Sequence, residues 1–361
     1  MQVGFVGYRG MVGSVLLKRM IEEGDFKQIK PFFFSTSNAG GTPPEVGVPT
    51  PKLLDAYDLK QLALMDCIIC THGSEYSLEI LPKLRQSGFD GYWIDASSAF
   101  RMNDDNIIIL DPVNLDVIKT GLTKGIKTFS GGNCTVSLML MAINGLFKAN
   151  LIEWVNSMTY QAVSGAGAQT ITTLLQQQAS ISKQVSGLLE NNHLDIDQLG
   201  QKLKLNDSGV IFANNVLPWI DTVMPDGQTK EEWKGISETN KILGYKPNQI
   251  KVDGLCVRVP SLRSHCLGLT IKLNTDKLSI DEITQIIQSD NQWVKCIANN
   301  KEDTLKYLNP GHFSNSLDVG VGRIRHLNFG KEYISAFVVG DQLLWGAAEP
   351  LRRMLAILFS F

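Results

Sequence analysis

The sequence predicts an α/β fold in two parts: a parallel sheet covered by helices, then an α+β domain with a mixed or antiparallel sheet. Three observations carry this. At 361 residues the chain is too long for one ordinary core. Up to about residue 130, short apolar runs alternate with helical spacings, as in a parallel sheet with crossover helices. Beyond about residue 150, strand-like runs follow one another without a helix between each pair.

The elements can be read in order. Val3 to Val6 is an apolar strand, and Met11 to Glu23 carries helical spacing at Val12, Val15, Leu16 and Met20. Pro31 to Phe34 is the next strand, and Leu62 to Leu64 precedes a strand at Cys67 to Cys70. Ser77 to Ser87 reads as a helix, with strands at Trp93 to Asp95 and Ile107 to Leu110. In the second half, strands are expected at Val155 to Gln161, Leu255 to Val259, His265 to Leu273 and Tyr333 to Val339, and a glutamine-rich helix at Thr170 to Leu189. Asp341 to Phe361 reads as a helix in which Pro350 makes a kink or marks a first turn. The expected division is a first domain of residues 1–132 completed by 343–361, and a second of 133–342.

Bulk properties exclude some classes. With 43% hydrophobic and 19% charged residues and a net charge of -2, the chain is globular, and nothing draws it electrostatically to nucleic acid or an acidic membrane. The apolar stretch from Val136 to Phe147 is too short to span a bilayer and contains Ser137 and Asn144. The N-terminus enters a strand without a signal-like basic and apolar lead, so a cytoplasmic enzyme is expected. Six cysteines, at 67, 70, 134, 256, 266 and 296, are expected to be reduced. Cys67 and Cys70 form a CxxC, but the run Asp66 to Cys70 looks like a buried strand, whose positions three apart face opposite sides. No metal site is expected.

Glycines at 4, 7, 10 and 13 link the first strand to the first helix. Gly-x-x-Gly-x-x-Gly in that context is a variant of the dinucleotide fingerprint, in which the backbone turns tightly and the pyrophosphate rests on a helix N-terminus. The first domain is therefore read as a Rossmann domain. The second strand ends in Ser35-Thr36-Ser37, without the carboxylate that binds a ribose 2′-hydroxyl. Three hydroxyls and Arg9 suit a 2′-phosphate, so NADP(H) is expected over NAD.

Thr128 to Thr135 reads as a strand, a glycine turn and a helix start, with Cys134 at the helix N-terminus. There the dipole and free N–H groups favour a thiolate and can hold an oxyanion. Five histidines could serve as its base, and His265 is the best placed. If the chain turns at Ser261-Leu262, a hairpin sets Arg258 across from His265, a carboxylate-gripping cation beside a base.

These residues carry a family resemblance. The chain resembles aspartate-β-semialdehyde dehydrogenase, in its Gram-negative bacterial branch, over nearly its whole length. The matching segments are Val3 to Ser14, Gly131 to Met139, Glu232 to Gly235, Glu238 to Lys241, Asp253 to Arg258 and Gly340 to Pro350. The resemblance implies NADPH-dependent conversion of L-4-aspartyl phosphate to L-aspartate 4-semialdehyde, a step feeding lysine, threonine, methionine and diaminopimelate, and it implies a homodimer. It implies Cys134 as nucleophile, His265 as acid–base group and Gln161 orienting the acyl intermediate. It further implies Arg258 on the substrate carboxylate, Glu238 on its amino group, and Arg101, Lys241 and Asn133 on phosphate. Implied cofactor contacts are Gly7, Arg9, Gly10, Met11, Val12, Thr36, Ser37, His72, Ser164, Gly165, Ala166, Gly167, Ala168 and Gln342. Three places depart from the family pattern: Ala166 where a third glycine is frequent, His72 where glutamine is expected, and the stretch Leu188 to Asp197.

Other readings fit less well. An N-acetyl-glutamyl-phosphate reductase needs a pocket for an acetylated amine, against which a free Glu238 argues. A phosphorylating triose dehydrogenase usually favours NAD. A non-catalytic dinucleotide sensor leaves Cys134, His265 and Arg258 without a task, and a thiol hydrolase has no need of the glycine fingerprint.

Overall fold

β1 (Gln2–Val6) is buried from Val3 onward, as a strand covered on both faces must be. It lies inside a seven-stranded, all-parallel sheet with β2 (Lys30–Ser35), β3 (Leu54–Asp55), β4 (Cys67–Cys70), β5 (Tyr92–Asp95), β6 (Asn106–Ile109) and β7 (Thr128–Gly131). The order is β3-β2-β1-β4-β5-β7-β6, so the direction of winding reverses between β2 and β4, beside β1. In such sheets the ligand crevice lies at the carboxyl ends of the strands at that reversal. The computed structural model describes residues 1–189, 197, 199, 200 and 209–361. Most of the departure expected at Leu188 to Asp197 falls outside the described residues.

Helices α1 (Met11–Glu22), α2 (Leu59–Leu62), α3 (Ser74–Gln86) and α4 (Asp111–Thr123) connect these strands. Cys67 packs in the core on one face of the sheet with Phe5 and Ile94; Cys70 packs on the other with Tyr76 and Trp93. The CxxC is thus divided between two apolar layers.

The second sheet is mixed. β8 (Ile152–Ala162) is flanked by β11 (His265–Leu273), antiparallel, and by two short parallel strands, β9 (Lys251–Asp253) and β10 (Cys256–Val259). β12 (Val294–Cys296), β13 (Val319–Leu327) and β14 (Gly330–Gly340) complete the order β10-β8-β11-β14-β13-β12. The expected hairpin between β10 and β11 does not form, because β8 lies between them. Arg258 sits opposite Gln161 of β8, and His265 opposite Gly340 of β14.

Helix α5 (Cys134–Lys148) is buried from Thr135 to Phe147 and fills the core beneath this sheet, with Leu267, Ile271, Val321 and Val338. Its sequence is apolar all round, as a helix enclosed on every side must be. The long helix α6 (Ala168–Leu189), α7 (Lys230–Ile242) and α8 (Ile280–Ser289) follow. Among the described residues, no helix is long and apolar enough to cross a membrane.

The chain ends where it began. A π-helical turn, Leu344–Ala348, runs into a final helix, Glu349–Ser360, with Pro350 in its first turn, where a missing N–H costs no hydrogen bond. Leu351, Met354, Leu355 and Leu358 join the core of β1 with Val3, Phe5 and Phe129. Arg352 pairs with Asp25 at 3.1 Å and Arg353 with Asp111 at 2.6 Å, both in the first domain.

Candidate active site

Cys134 is the first residue of α5, and its position is set from two sides. On one side is Asn133. Its Oδ1 accepts from the N–H groups of Thr135 at 3.0 Å and Val136 at 3.2 Å. Its Nδ2 donates to Glu231 Oε1 at 2.9 Å, and its backbone N–H to Glu238 Oε2 at 2.6 Å. On the other side is Gly346 in the π turn. A Cβ there would fall 2.5 Å from the Cβ of Cys134, so only glycine fits against the thiol. Single π turns inside helices are frequent at functional sites.

The cavity at Cys134 is lined by Asn133, Arg101, Gln161, Ser164, Gly165, Ala166, Asp221, Glu231, Lys234, Arg258, Gln342 and Gly346, with Val12 at one end. Glu231 is its hub. Oε1 accepts from Asn133 and from Gln161 Nε2 at 3.1 Å, while Oε2 meets Lys234 Nζ at 2.9 Å. Burial pushes this carboxyl up, but the Lys234 ammonium and the two amide donors outweigh it and hold the pKa below the usual range. Arg258 donates from Nη1 to the carbonyl of Ala162 at 2.7 Å.

His265 is fully buried at the start of β11. Its Nδ1 accepts from the backbone N–H of Ala162 at 3.0 Å, so the ring proton of the neutral form sits on Nε2. Nε2 has no hydrogen-bond partner among the described residues and lies against Gly165, where an added Cβ would stand 3.2 Å from it. Burial, then the neighbouring Arg258 guanidinium, press its pKa down to about 3. His265 is not among the residues that line the cavity at Cys134, though Gly165 beside its Nε2 is, and this tautomer offers a donor there and no free acceptor. The preceding Ser264 takes a left-handed φ of 69° and donates its N–H to Gln342 Oε1 at 2.7 Å, fixing the entry to the strand.

The thiol itself departs from expectation. Burial pushes Cys134 up to about 12 and the Glu231 carboxylate adds to it, against Arg258, Arg101 and Lys234. The helix start helps less than its position suggests, because Asn133 already occupies the N–H groups of Thr135 and Val136. Without substrate, Cys134 is a protonated thiol.

Two further expectations are corrected. Glu238 and Lys241 do not line the cavity. Glu238 is buried against Arg101 at 3.0 Å and the Asn133 N–H, and Lys241 donates to the carbonyl of Asn103 at 2.6 Å. Glu231 and Lys234, on the same face of α7 but in its first turns, take those places in the cavity. Thr229 and Glu232 form a capping box that fixes where α7 begins.

A second cleft opens at the winding reversal, lined by Gly7, Tyr8, Arg9, Gly10, Phe34, Ser35, Thr36, Thr71 and His72. Its floor suits a pyrophosphate. Gly7, at φ 80°, approaches the next loop so closely that a Cβ would fall 2.5 Å from the His72 nitrogen. Gly10 caps α1 without a side chain, leaving the first N–H groups of the helix to an anion. Arg9 donates to Ser37 Oγ at 2.9 Å and Ser35 Oγ at 3.3 Å, gathering one cation and two hydroxyls beyond β2. Val12, Ser164, Gly165, Ala166 and Gln342 line the Cys134 cavity instead, so the expected cofactor residues run from one cleft to the other. Gln342 Nε2 also donates to Ser164 Oγ. Met11, Ser37, Gly167 and Ala168 line neither; Gly167 makes the turn, at φ 101°, into α6. Thr71 was not anticipated.

Fold and clefts together define a two-domain, NAD(P)-linked oxidoreductase. Residues 2–121 match the semialdehyde dehydrogenase NAD-binding domain, and residues 143–345 its dimerisation domain. An aspartate semialdehyde dehydrogenase from Francisella tularensis is 51% identical, with 99% of this chain and 100% of that one covered and a TM-score of 0.93. The chain belongs to the aspartate-semialdehyde dehydrogenase family. More distant structures share the fold. One is a Vibrio cholerae aspartate semialdehyde dehydrogenase II complexed with ASA, 24% identical over 99% and 98% of the two chains, TM-score 0.80. Another is a Candida albicans enzyme with NADP, 17% identical over 99% and 98%, TM-score 0.68.

Three outcomes follow. Gly346→Ala displaces the thiol, and because about 1 Å of misplacement costs roughly 100-fold in rate, turnover falls by about that factor while circular dichroism stays unchanged. Alkylation of Cys134 in the free protein requires the thiolate, which forms only as pH rises toward about 12. The iodoacetamide rate, taken as the difference from Cys134→Ala, therefore climbs about tenfold per pH unit from 7 to 9. Glu231→Gln removes a charge that disfavours the thiolate and raises that rate at every pH.

Proposed function

We propose that this enzyme reduces L-4-aspartyl phosphate to L-aspartate 4-semialdehyde with NADPH, reversibly, through a thioester on Cys134. The carrying observation is the juxtaposition at one cavity of a cysteine with Glu231, Lys234 and Arg258, next to a dinucleotide cleft. The substrate presents an α-carboxylate, an ammonium and a phosphate, and this set answers each. Arg258 takes the carboxylate as a fork. Glu231 takes the ammonium, which cancels the charge that most opposes Cys134 ionisation after burial itself. Lys234, Asn133 and Arg101 face the phosphate.

Cys134 sulfur attacks the acyl carbon, the carbon–oxygen bond to phosphate breaks, and the thiol proton leaves with the departing phosphate. Gln161, donating from Nε2 to Glu231 and Thr159, holds the acyl group from the β8 side. Bound NADPH supplies the hydride. His265 Nε2–H donates to the oxygen on which negative charge gathers at the tetrahedral stage. Collapse of that stage releases the aldehyde and returns the Cys134 thiolate. In the opposite direction Cys134 adds to the aldehyde, the adduct gives its hydride to the NADP that the dinucleotide cleft would hold and its hydroxyl proton to solvent, and the resulting thioester is cleaved by phosphate.

The cofactor preference rests on Arg9, Ser35, Thr36 and Ser37, which present donors and no carboxylate to a 2′-phosphate. The product would feed lysine, threonine, methionine and diaminopimelate synthesis. The dimerisation-domain match supports a homodimer.

Absorbance at 340 nm with L-aspartate semialdehyde, phosphate and NADP tests the reaction. NADPH forms only when phosphate is present, and Cys134→Ala forms none. A wild type that binds NADPH but is inert toward the semialdehyde would sink the substrate assignment. In the same assay Arg9→Ala raises KM for NADP about tenfold, the loss of one charge-assisted contact, and leaves KM for NAD unchanged.

A further inference from the structure

We propose that Asp221 is an electrostatic gate on the phosphate subsite: in the ligand-free enzyme its carboxylate occupies Lys234, and it gives way when phosphate arrives. The proposal rests on Lys234 being the phosphate contact. Lys234 Nζ lies 2.8 Å from Asp221 Oδ2 and 2.9 Å from Glu231 Oε2, so one cation answers two carboxylates. Arg101 cannot offset the surplus, because Glu238 already neutralises it at 3.0 Å. Asp221, Glu231 and Lys234 together therefore carry one net negative charge, offset in the cavity as a whole by the Arg258 guanidinium, so the repulsion of an incoming phosphate is local to Lys234.

The two carboxylates differ in freedom. Glu231 is buried, with its other oxygen bound by Asn133 and Gln161, and cannot leave. Asp221 is partly exposed and lies on a surface segment whose neighbours Val216, Trp219 and Val223 are exposed. Its backbone holds a left-handed φ of 72°, which a non-glycine residue occupies at a cost. Among the described residues the segment is tied to the sheet by one bridge, Leu217 to Arg258. Swinging Asp221 outward gives up its Oδ2 contact with Lys234, and with it the Thr222 N–H bond to Oδ1 at 2.8 Å, and leaves Lys234 with Glu231 alone. The Lys234 end is then neutral, with ammonium hydrogens free for a phosphate oxygen.

The opposite sign separates a gate from a brace. If Asp221 merely positions Lys234, removing its charge weakens phosphate binding. If it competes, removing it strengthens binding. Titration calorimetry with inorganic phosphate on full-length wild type, Asp221→Asn and Asp221→Ala needs no turnover. Both variants are expected to bind phosphate about threefold tighter or better, as expected for loss of a like charge. In the Lys234→Met background the substitution at 221 has no effect. Turnover gives the second readout: KM for phosphate falls by the same factor and KM for the semialdehyde stays put. Equal or weaker phosphate binding in both variants, or no phosphate binding by any of them, would overturn the gate. Tighter binding in the variants alongside a wild type inert toward the semialdehyde would leave the gate standing and remove the proposed reaction instead.

Discussion

The site depends on one carboxylate. Glu231 joins the cap of α5, the end of β8 and the first turn of α7 through Asn133, Gln161 and Lys234. A buried charge survives only when every lone pair is answered, and here amide donors and an ammonium answer them. The constraint works in both directions. The cap that Glu231 steadies is the cap that places Cys134, while its charge adds to the burial that already disfavours the thiolate.

Around that hub, three chain segments distant in sequence close on the thiol. Asn133 ends the link from the first sheet, Glu231 and Lys234 come from the start of α7, and Gly346 from the π turn before the last helix. None is interchangeable. The capping amide must both accept from α5 and donate to Glu231, which asparagine does and aspartate cannot. Gly346 must have no side chain. His265 is fixed by a backbone donor from the neighbouring strand rather than by a carboxylate, so its tautomer follows from sheet register.

Much of this was legible in the sequence, for identifiable reasons. The central strands of the first sheet announce themselves because burial on both faces leaves unbroken apolar runs such as Cys67 to Cys70. The glycine loop and the cysteine turn are readable because their backbone geometry restricts residue type. The β10–β11 pairing was not legible. Periodicity tells which face a residue takes, not which strand lies alongside, and β8, a hundred residues earlier, occupies the gap. The same limit explains Glu238 and Lys241. Helical spacing puts them on the face of α7 that also carries Glu231 and Lys234, but only the helix's approach to the cavity shows which end is presented. The thiol pKa lay beyond reach too, since it is set by burial and by a residue nearly a hundred positions away.

The return of the final helix to the first sheet has a consequence for how the molecule is made. β1 and its neighbours are synthesised first, yet one side of them is covered by Leu351, Met354, Leu355 and Leu358. Until the ribosome has released the last turns, that apolar surface has no native cover. The earliest-made sheet is therefore the last to be sealed. The nascent protein must carry an open hydrophobic face until the helix Glu349–Ser360 has been made, and loss of that helix strikes a sheet that begins more than three hundred residues earlier.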